Sequence, residues 1–283
     1  MDSLVTTDWL AAEIGAGDVV VLDATAHPTE PARDAAAEHA AAHLPDARFL
    51  DLRSLTDTAS SVPSALPTAD QLARRLADLG VEAGSRIVLY DDSAVKTSAR
   101  AWFVLRMNGV RPVAILDGGL AKWRAEGRPL ESGTADAPAL ADTPVLLADT
   151  SRVRTKADML ANLQGGTEQV VDARDAGRFT GATEDTVHHL PGGHLPGSRH
   201  LFFRDLFDAD GTFKDEEDLR RAFADAGLDL ARPIAATCGS GVTASVLLFA
   251  LHRLGVEDAA LYDGSWSEWA ADPATPKETG APR

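Results

Sequence analysis

The stretch Ile234-Ala-Ala-Thr-Cys238-Gly-Ser-Gly-Val-Thr243 reads as an apolar strand, a glycine-rich turn and the opening of a helix. Outward from it, the helical pattern Val242–Leu254 stops at Gly255, a glycine just past the last periodic residue. A further apolar run, Ala260-Leu-Tyr-Asp263-Gly264-Ser265, then leads to Trp269. The same order occurs earlier: Ile87-Val-Leu-Tyr-Asp-Asp92, a helical run to Asn108-Gly109-Val110, Ala114-Ile-Leu-Asp117-Gly118-Gly119, and Trp123. Gly109 and Gly255, Asp117 and Asp263, and Trp123 and Trp269 all lie 146 positions apart, a register that sets Asp92 opposite Cys238. Upstream, Val19-Val-Val-Leu-Asp23-Ala24 matches Gln169-Val-Val-Asp172-Ala173-Arg174, and His43-Leu-Pro-Asp-Ala47 matches His194-Leu-Pro-Gly-Ser198. A period this long marks a duplicated domain, not a solenoid unit.

Within the first half, Val19–Leu22, Arg86–Tyr90 and Val113–Leu116 read as buried strands, and Asp70–Leu79 and Ser98–Asn108 as helices closed by Gly80 and Gly109. The second half repeats this, with strands near Gln169–Val171, Ile234–Thr237 and Ala259–Tyr262 and helices near Asp215–Ala226 and Val242–Leu254. Strand and helix alternating at this spacing predict an α/β fold of two tandem domains, each a parallel sheet with helices on both faces. The expected domains are residues 1–135 and 150–283, joined by a linker over 136–149 within a stretch, Gly133–Pro144, that has two prolines and few large apolar residues. Ligands of such sheets sit beyond the C-terminal ends of the strands, where Cys238 falls.

The 283 residues are ample for two cores, and the net charge of −16 leaves no broad positive field to attract nucleic acid or an anionic membrane. An anionic substrate must therefore be held locally. Met1-Asp2-Ser3-Leu4 is acidic where a signal peptide is basic, and no apolar run approaches the ~18 residues of a membrane span, so a cytoplasmic protein is expected. Cys238 is the single cysteine, which excludes an intramolecular disulfide and any Cys-rich metal site. His188, His189, His194 and His200 form no helical i, i+4 pair with a supporting acid, so neither a metal nor another cofactor is expected.

Two glycines and two hydroxyl residues beside the sulfur are not core composition, which favours an exposed, reactive thiol over a buried small hydrophobe. Backbone N–H groups of Gly239, Ser240, Gly241, Val242 and Thr243 can converge there, and the helix dipole adds positive potential, a cradle for a thiolate or an anion bonded to it. A cysteine phosphatase would need an arginine closing this loop, but the sixth residue past Cys238 is Ala244, and no lysine or arginine occurs from 239 to 252. A papain-like hydrolase would need a histidine base, for which His194, His200 and His252 are the candidates.

Cys238-Gly-Ser-Gly-Val-Thr243, with Asp172-Ala-Arg174, Gly193-His-Leu-Pro-Gly197 and Tyr262-Asp-Gly-Ser-Trp-Ser-Glu-Trp269, resembles the two-domain rhodanese superfamily over nearly the whole chain. The loop is similar to that of 3-mercaptopyruvate sulfurtransferases, whereas thiosulfate-using rhodaneses carry Arg and Lys at the places of Gly239 and Ser240. The resemblance implies that Cys238 takes a sulfur atom from a small anionic donor as a persulfide, then passes it to cyanide or to a thiol acceptor such as thioredoxin or a small thiol. The expected donor is 3-mercaptopyruvate, with thiosulfate as the alternative. A persulfide carrier without turnover is a reading of a different class.

By the same resemblance, Arg178 in Gly177-Arg178-Phe179-Thr180-Gly181 matches the arginine that clamps the donor. Other positions depart from the pattern. Val187 stands where a second arginine is expected, with His188 or His189 as a substitute, while Arg53 and Ser64 stand where the family has a relay aspartate and histidine that work with the loop serine, here Ser240. Arg53 is then a candidate replacement anion contact. With a carboxylate, Asp92, in place of the cysteine, the first domain is expected to be catalytically silent.

Overall fold

The computed structural model describes residues 1–134 and 144–281, so residues 136–143 of the expected linker lie outside the described residues. The chain divides into two units. The first comprises Met1–Asp57, Leu66–Asp149 and Ala209–Phe213; the second comprises Thr58–Ala65, Thr150–Asp208 and Lys214–Arg283. The units are thus not contiguous in sequence, unlike the expected boundaries. The Phe213 N–H donates to Asp117 Oδ1 at 2.8 Å, one bond that keeps Ala209–Phe213 in the first unit.

The first unit holds β1 (Leu4–Val5), β2 (Val19–Asp23), β3 (Arg48–Phe49), β4 (Arg86–Tyr90) and β5 (Val113–Leu116). They form a parallel sheet in the order β1-β5-β4-β2-β3. The second repeats it with β6 (Val153–Arg154), β7 (Gln169–Asp172), β8 (Arg199–His200), β9 (Ile234–Thr237) and β10 (Ala259–Tyr262), in the order β6-β10-β9-β7-β8. Every residue of β5, β9 and β10 is buried, as strands covered on both faces require. The four two-residue edge strands are too short to show a period in the sequence, and pairing with a longer neighbour defines them.

Helices α1 (Thr7–Glu13), α2 (Ala35–Ala41), α3 (Ala69–Asp78), α4 (Ser98–Met107) and α5 (Gly119–Ala125) belong to the first unit. Their counterparts are α6 (Lys156–Gly165), α7 (Ala176–Thr180), α8 (Glu216–Asp225), α9 (Val242–Arg253) and α10 (Ser265–Ala271). Local chemistry starts them. Thr68 and Gln71 form a capping box on α3, Thr155 and Asp158 form one on α6, and Asp215 caps α8. The cores repeat as well: Trp123 and Trp269 are fully buried, and their indole N–H groups donate to Pro129 O and Pro276 O, both at 2.8 Å. Trp266 joins Trp269 in the second core.

Backbone pairing corrects the register of the repeat. Asp23 pairs with Tyr90 as Asp172 pairs with Thr237. Ala24 N–H donates to Tyr90 O at 2.8 Å as Ala173 N–H donates to Thr237 O at 2.9 Å. The next residues are Asp91 and Cys238, and their carbonyls accept from Leu120 N–H (3.2 Å) and Trp266 N–H (2.9 Å). Asp91, not Asp92, therefore stands at the cysteine position. Counting back from Gly109 and Gly255 misses it because the path from Asp91 to Gly109 is one residue longer than that from Cys238 to Gly255.

Candidate active site

Cys238 is 2% exposed, so the expectation of an exposed thiol is corrected. The sulfur lies on the floor of its loop because the loop folds back over it. Gly241 adopts φ 79, a left-handed conformation that glycine takes without a steric penalty, and its N–H donates to Cys238 Sγ at 3.1 Å. The β10–α10 segment holds the loop from behind: Trp266 N–H and Ser267 N–H donate to Cys238 O and Gly239 O, each at 2.9 Å. Cys238 N–H in turn donates to Ser265 Oγ at 3.3 Å. Ser265 has φ 50, uncommon for a residue with a Cβ, and its hydroxyl donates to Tyr262 O at 2.9 Å. It is a site residue that the sequence reading passed over.

No side chain caps the first turn of α9, so its amide dipoles remain directed at the sulfur end of the helix. Ser240 and Val242 are half-buried, while Gly239 and Thr243 are buried. A Cβ on Gly239 would collide with Cε1 of His188 and would lie 2.9 Å from its Nδ1 and 3.1 Å from its Nε2. The histidine ring thus occupies the space that a side chain at 239 would take.

His188 is aimed from below. Its Nδ1 lies 3.0 Å from Asp185 Oδ1, which also accepts the His188 backbone N–H at 3.2 Å. Asp185 is fully buried, and the same Oδ1 lies 3.6 Å from Arg178 Nη1. Burial pushes the Asp185 carboxyl up, but the hydrogen bond from His188 and the charges of His188 and Arg178 hold it below the usual carboxylate range. Asp185 is the second residue that the sequence reading missed. Its signal was the Asp185-Thr-Val-His188 spacing, visible only to a reader already looking for a carboxylate behind a histidine.

Arg178 sits in α7, its Nε 2.6 Å from Asp175 Oδ2. Burial lowers its affinity for the proton, yet the bond to Asp175 and the charges of Asp175 and Asp185 raise it above the ordinary guanidinium value, with a smaller contribution from nearby Cys238. Behind them, Arg174 and Asp172 form a fully buried ion pair, Nη2 to Oδ2 at 2.6 Å. Arg174 also donates to Gly193 O at 2.6 Å and stacks 4.6 Å from the Trp266 ring. The Asp172-Ala-Arg174 motif is therefore scaffold under the loop.

Other expected residues lie elsewhere. His194 stacks on Phe179 with centroids 3.9 Å apart and directs Nδ1 to Phe179 O at 2.9 Å, a packing role. His189 is exposed and Val187 half-buried. Arg53 belongs to the first unit, its side chain 86% exposed and bonded through Nε to Asp51 Oδ1 at 3.2 Å. Ser64 belongs to the segment that groups with the second unit.

A buried strand-end cysteine held by a backbone amide, with an arginine in electrostatic range and a histidine against the loop, defines a thiol-centred group-transfer site. The chain matches the Rhodanese-like domain family over residues 6–126 and 155–272 and belongs to it. It is 34% identical over 297 residues to thiosulfate/3-mercaptopyruvate sulfurtransferase 1, mitochondrial, of Arabidopsis thaliana, covering 98% of this chain and 78% of that one. It is 35% identical over 275 residues to the 3-mercaptopyruvate sulfurtransferase of Escherichia coli, covering 97% of each. A crystal structure of an E. coli 3-mercaptopyruvate sulfotransferase superposes with a TM-score of 0.84 at 34% identity, covering 94% of this chain and 99% of that one.

Proposed function

We propose that this enzyme is a sulfurtransferase that moves a sulfur atom from 3-mercaptopyruvate to a thiol or cyanide through a persulfide on Cys238. One observation carries the reading: Cys238 Sγ accepts the Gly241 amide at the uncapped N-terminus of α9, where an added sulfur's negative charge is stabilised by main-chain dipoles. The thiolate attacks the donor's sulfur, the bond from that sulfur to carbon breaks, and the acceptor later removes the sulfur from Cys238. Two half-reactions of this kind give ping-pong kinetics. Arg178 holds the donor carboxylate, a task suited to a guanidinium already within range of the sulfur. Ser240 and the amides of Gly239 to Thr243 line the persulfide. Thioredoxin or a small thiol is the acceptor, and the setting is cytoplasmic, where Cys238 stays reduced.

Gly239 favours 3-mercaptopyruvate over thiosulfate, because no cationic side chain projects from that position and His188 fills the space. The deciding experiment assays both donors side by side with cyanide as acceptor and follows Cys238 by intact mass. The expected result is gain of one sulfur mass on mixing with 3-mercaptopyruvate, loss of it on adding acceptor, multiple turnovers, and abolition of all three by Cys238→Ser. A single loading without turnover would leave only a persulfide carrier.

A further inference from the structure

Asp185 is fully buried and ionised, and one of its oxygens, Oδ2, has no hydrogen-bond partner among the described residues. Arg174 Nη1 lies 3.9 Å from that oxygen and itself has no hydrogen bond among the described residues. A carboxylate buried with one oxygen so incompletely satisfied opposes folding, and an apolar residue would hold the loop with less desolvation. What the charge does is fix a neighbour: its better-satisfied oxygen binds Nδ1 of His188, which leaves Nε2 as the exchangeable nitrogen, without a protein hydrogen bond among the described residues. A Cβ placed on Gly239, the residue that follows Cys238, would lie 3.1 Å from that nitrogen.

We propose that His188, oriented by Asp185, is the acid that protonates the carbon leaving group when 3-mercaptopyruvate gives its sulfur to Cys238. The inference rests on the sulfurtransferase reading above. The Cys238 thiolate forms an S–S bond to the donor's thiol sulfur; the donor C–S bond breaks and its electron pair remains on carbon as the pyruvate enolate. Imidazolium Nε2 gives its proton to that enolate, producing pyruvate. The neutral ring then takes the persulfide S–H proton, so the donor's own thiol proton ends on His188, which is again an imidazolium, and Cys238 is left as the persulfide anion. Of the charged groups packed here, Asp185 on its own turn contacts the ring, Arg178 on α7 and Arg174 after β7 face Asp185, and Asp175 pairs with Arg178. Asp185 is a positioning residue in this scheme, and His188 performs the transfer.

The test uses a donor that needs no acid. Inorganic polysulfide loads a thiolate and leaves as a stable anion, so its reaction with Cys238 reports loop integrity alone. His188→Gln is expected to slow persulfide formation from 3-mercaptopyruvate by about 10²- to 10⁴-fold and to abolish the fall of that rate at alkaline pH. Loading from polysulfide is expected to change less than about threefold. Asp185→Asn, which keeps an acceptor but removes the charge, is expected to move the alkaline limb to lower pH, and Asp185→Glu to restore it in part. Equal slowing with both donors, or an unchanged pH profile in His188→Gln, overturns the assignment while leaving the sulfurtransferase reading standing. Failure of the unaltered protein to take sulfur from 3-mercaptopyruvate overturns that reading itself.

Discussion

The loops after β4 and β9 start from the same strand position and reach opposite results. In the second unit a short loop, Cys238–Gly241, bends back so that an amide meets a sulfur. In the first, the longer Asp91–Thr97 loop surrounds the Asp91 carboxylate, whose Oδ1 accepts Ser93 N–H and whose Oδ2 accepts Ser98 N–H, each at 2.9 Å. One loop carries its anion as a permanent side chain that caps the following helix. The other leaves the helix end uncapped beside the Cys238 sulfur. The buried carboxylates below differ too: Asp172 is neutralised by Arg174, whereas Asp23 is held by His39 at 2.9 Å and by the Tyr90 hydroxyl at 3.1 Å. The first loop thus fills with its own carboxylate the place where the second presents a sulfur.

If that contrast is right, a cysteine alone does not convert the first loop. Asp91→Cys combined with Cys238→Ser is expected to show at least about 10³-fold less sulfur transfer than the unaltered enzyme. Appreciable turnover would mean that the loop backbone matters less than the side chain. Next in size is the scaffold. Arg174→Met strands Asp172 without its cation and is expected to cost about 3–5 kcal/mol in urea unfolding, against about 1 kcal/mol for Tyr90→Phe in the first unit. Equal costs would show that the two carboxylates are equivalently supported.

A smaller effect separates the residues after the two anions. Gly239→Ala drives a methyl into the His188 ring and is expected to destabilise by about 1–3 kcal/mol, with His188→Ala relieving it. Asp92 already carries a side chain at that position, with Arg124 at 3.5 Å and Arg33 at 3.6 Å. Asp92→Ala should therefore show no such coupling to the first unit's His39. If Gly239→Ala proves neutral by thermal denaturation, the ring does not own that space.

The smallest effect is one of sign with pH. Burial raises the Asp92 carboxyl above its ordinary value, although Arg124 and Arg33 pull it down. Its contribution to stability is thus present below the ordinary carboxylate value and lost as pH rises through the raised one. Asp185, held low, contributes above the ordinary value and loses that contribution as pH falls through the lower one. Asp92→Asn should stabilise slightly near neutrality and do nothing in acid; Asp185→Asn should destabilise near neutrality and do nothing in acid. Unfolding curves at two pH values distinguish these patterns, and parallel behaviour of the two variants would contradict them.

The sequence by itself determined the duplication, the strand–turn–helix units and the cysteine at a strand end. Those features are written locally, in apolar runs, in glycines that close helices, and in residues adjacent along the chain. Only the tertiary structure decided that Asp91 takes the cysteine position, because a single extra residue between two matched glycines is invisible to a constant offset. It alone placed His188 on Gly239, Asp185 behind it and Ser265 beneath Cys238. The contacts of His188 with Gly239 and of Ser265 with Cys238 join segments far apart in the chain and follow no period, so they arise when separate loops pack over the ends of parallel strands.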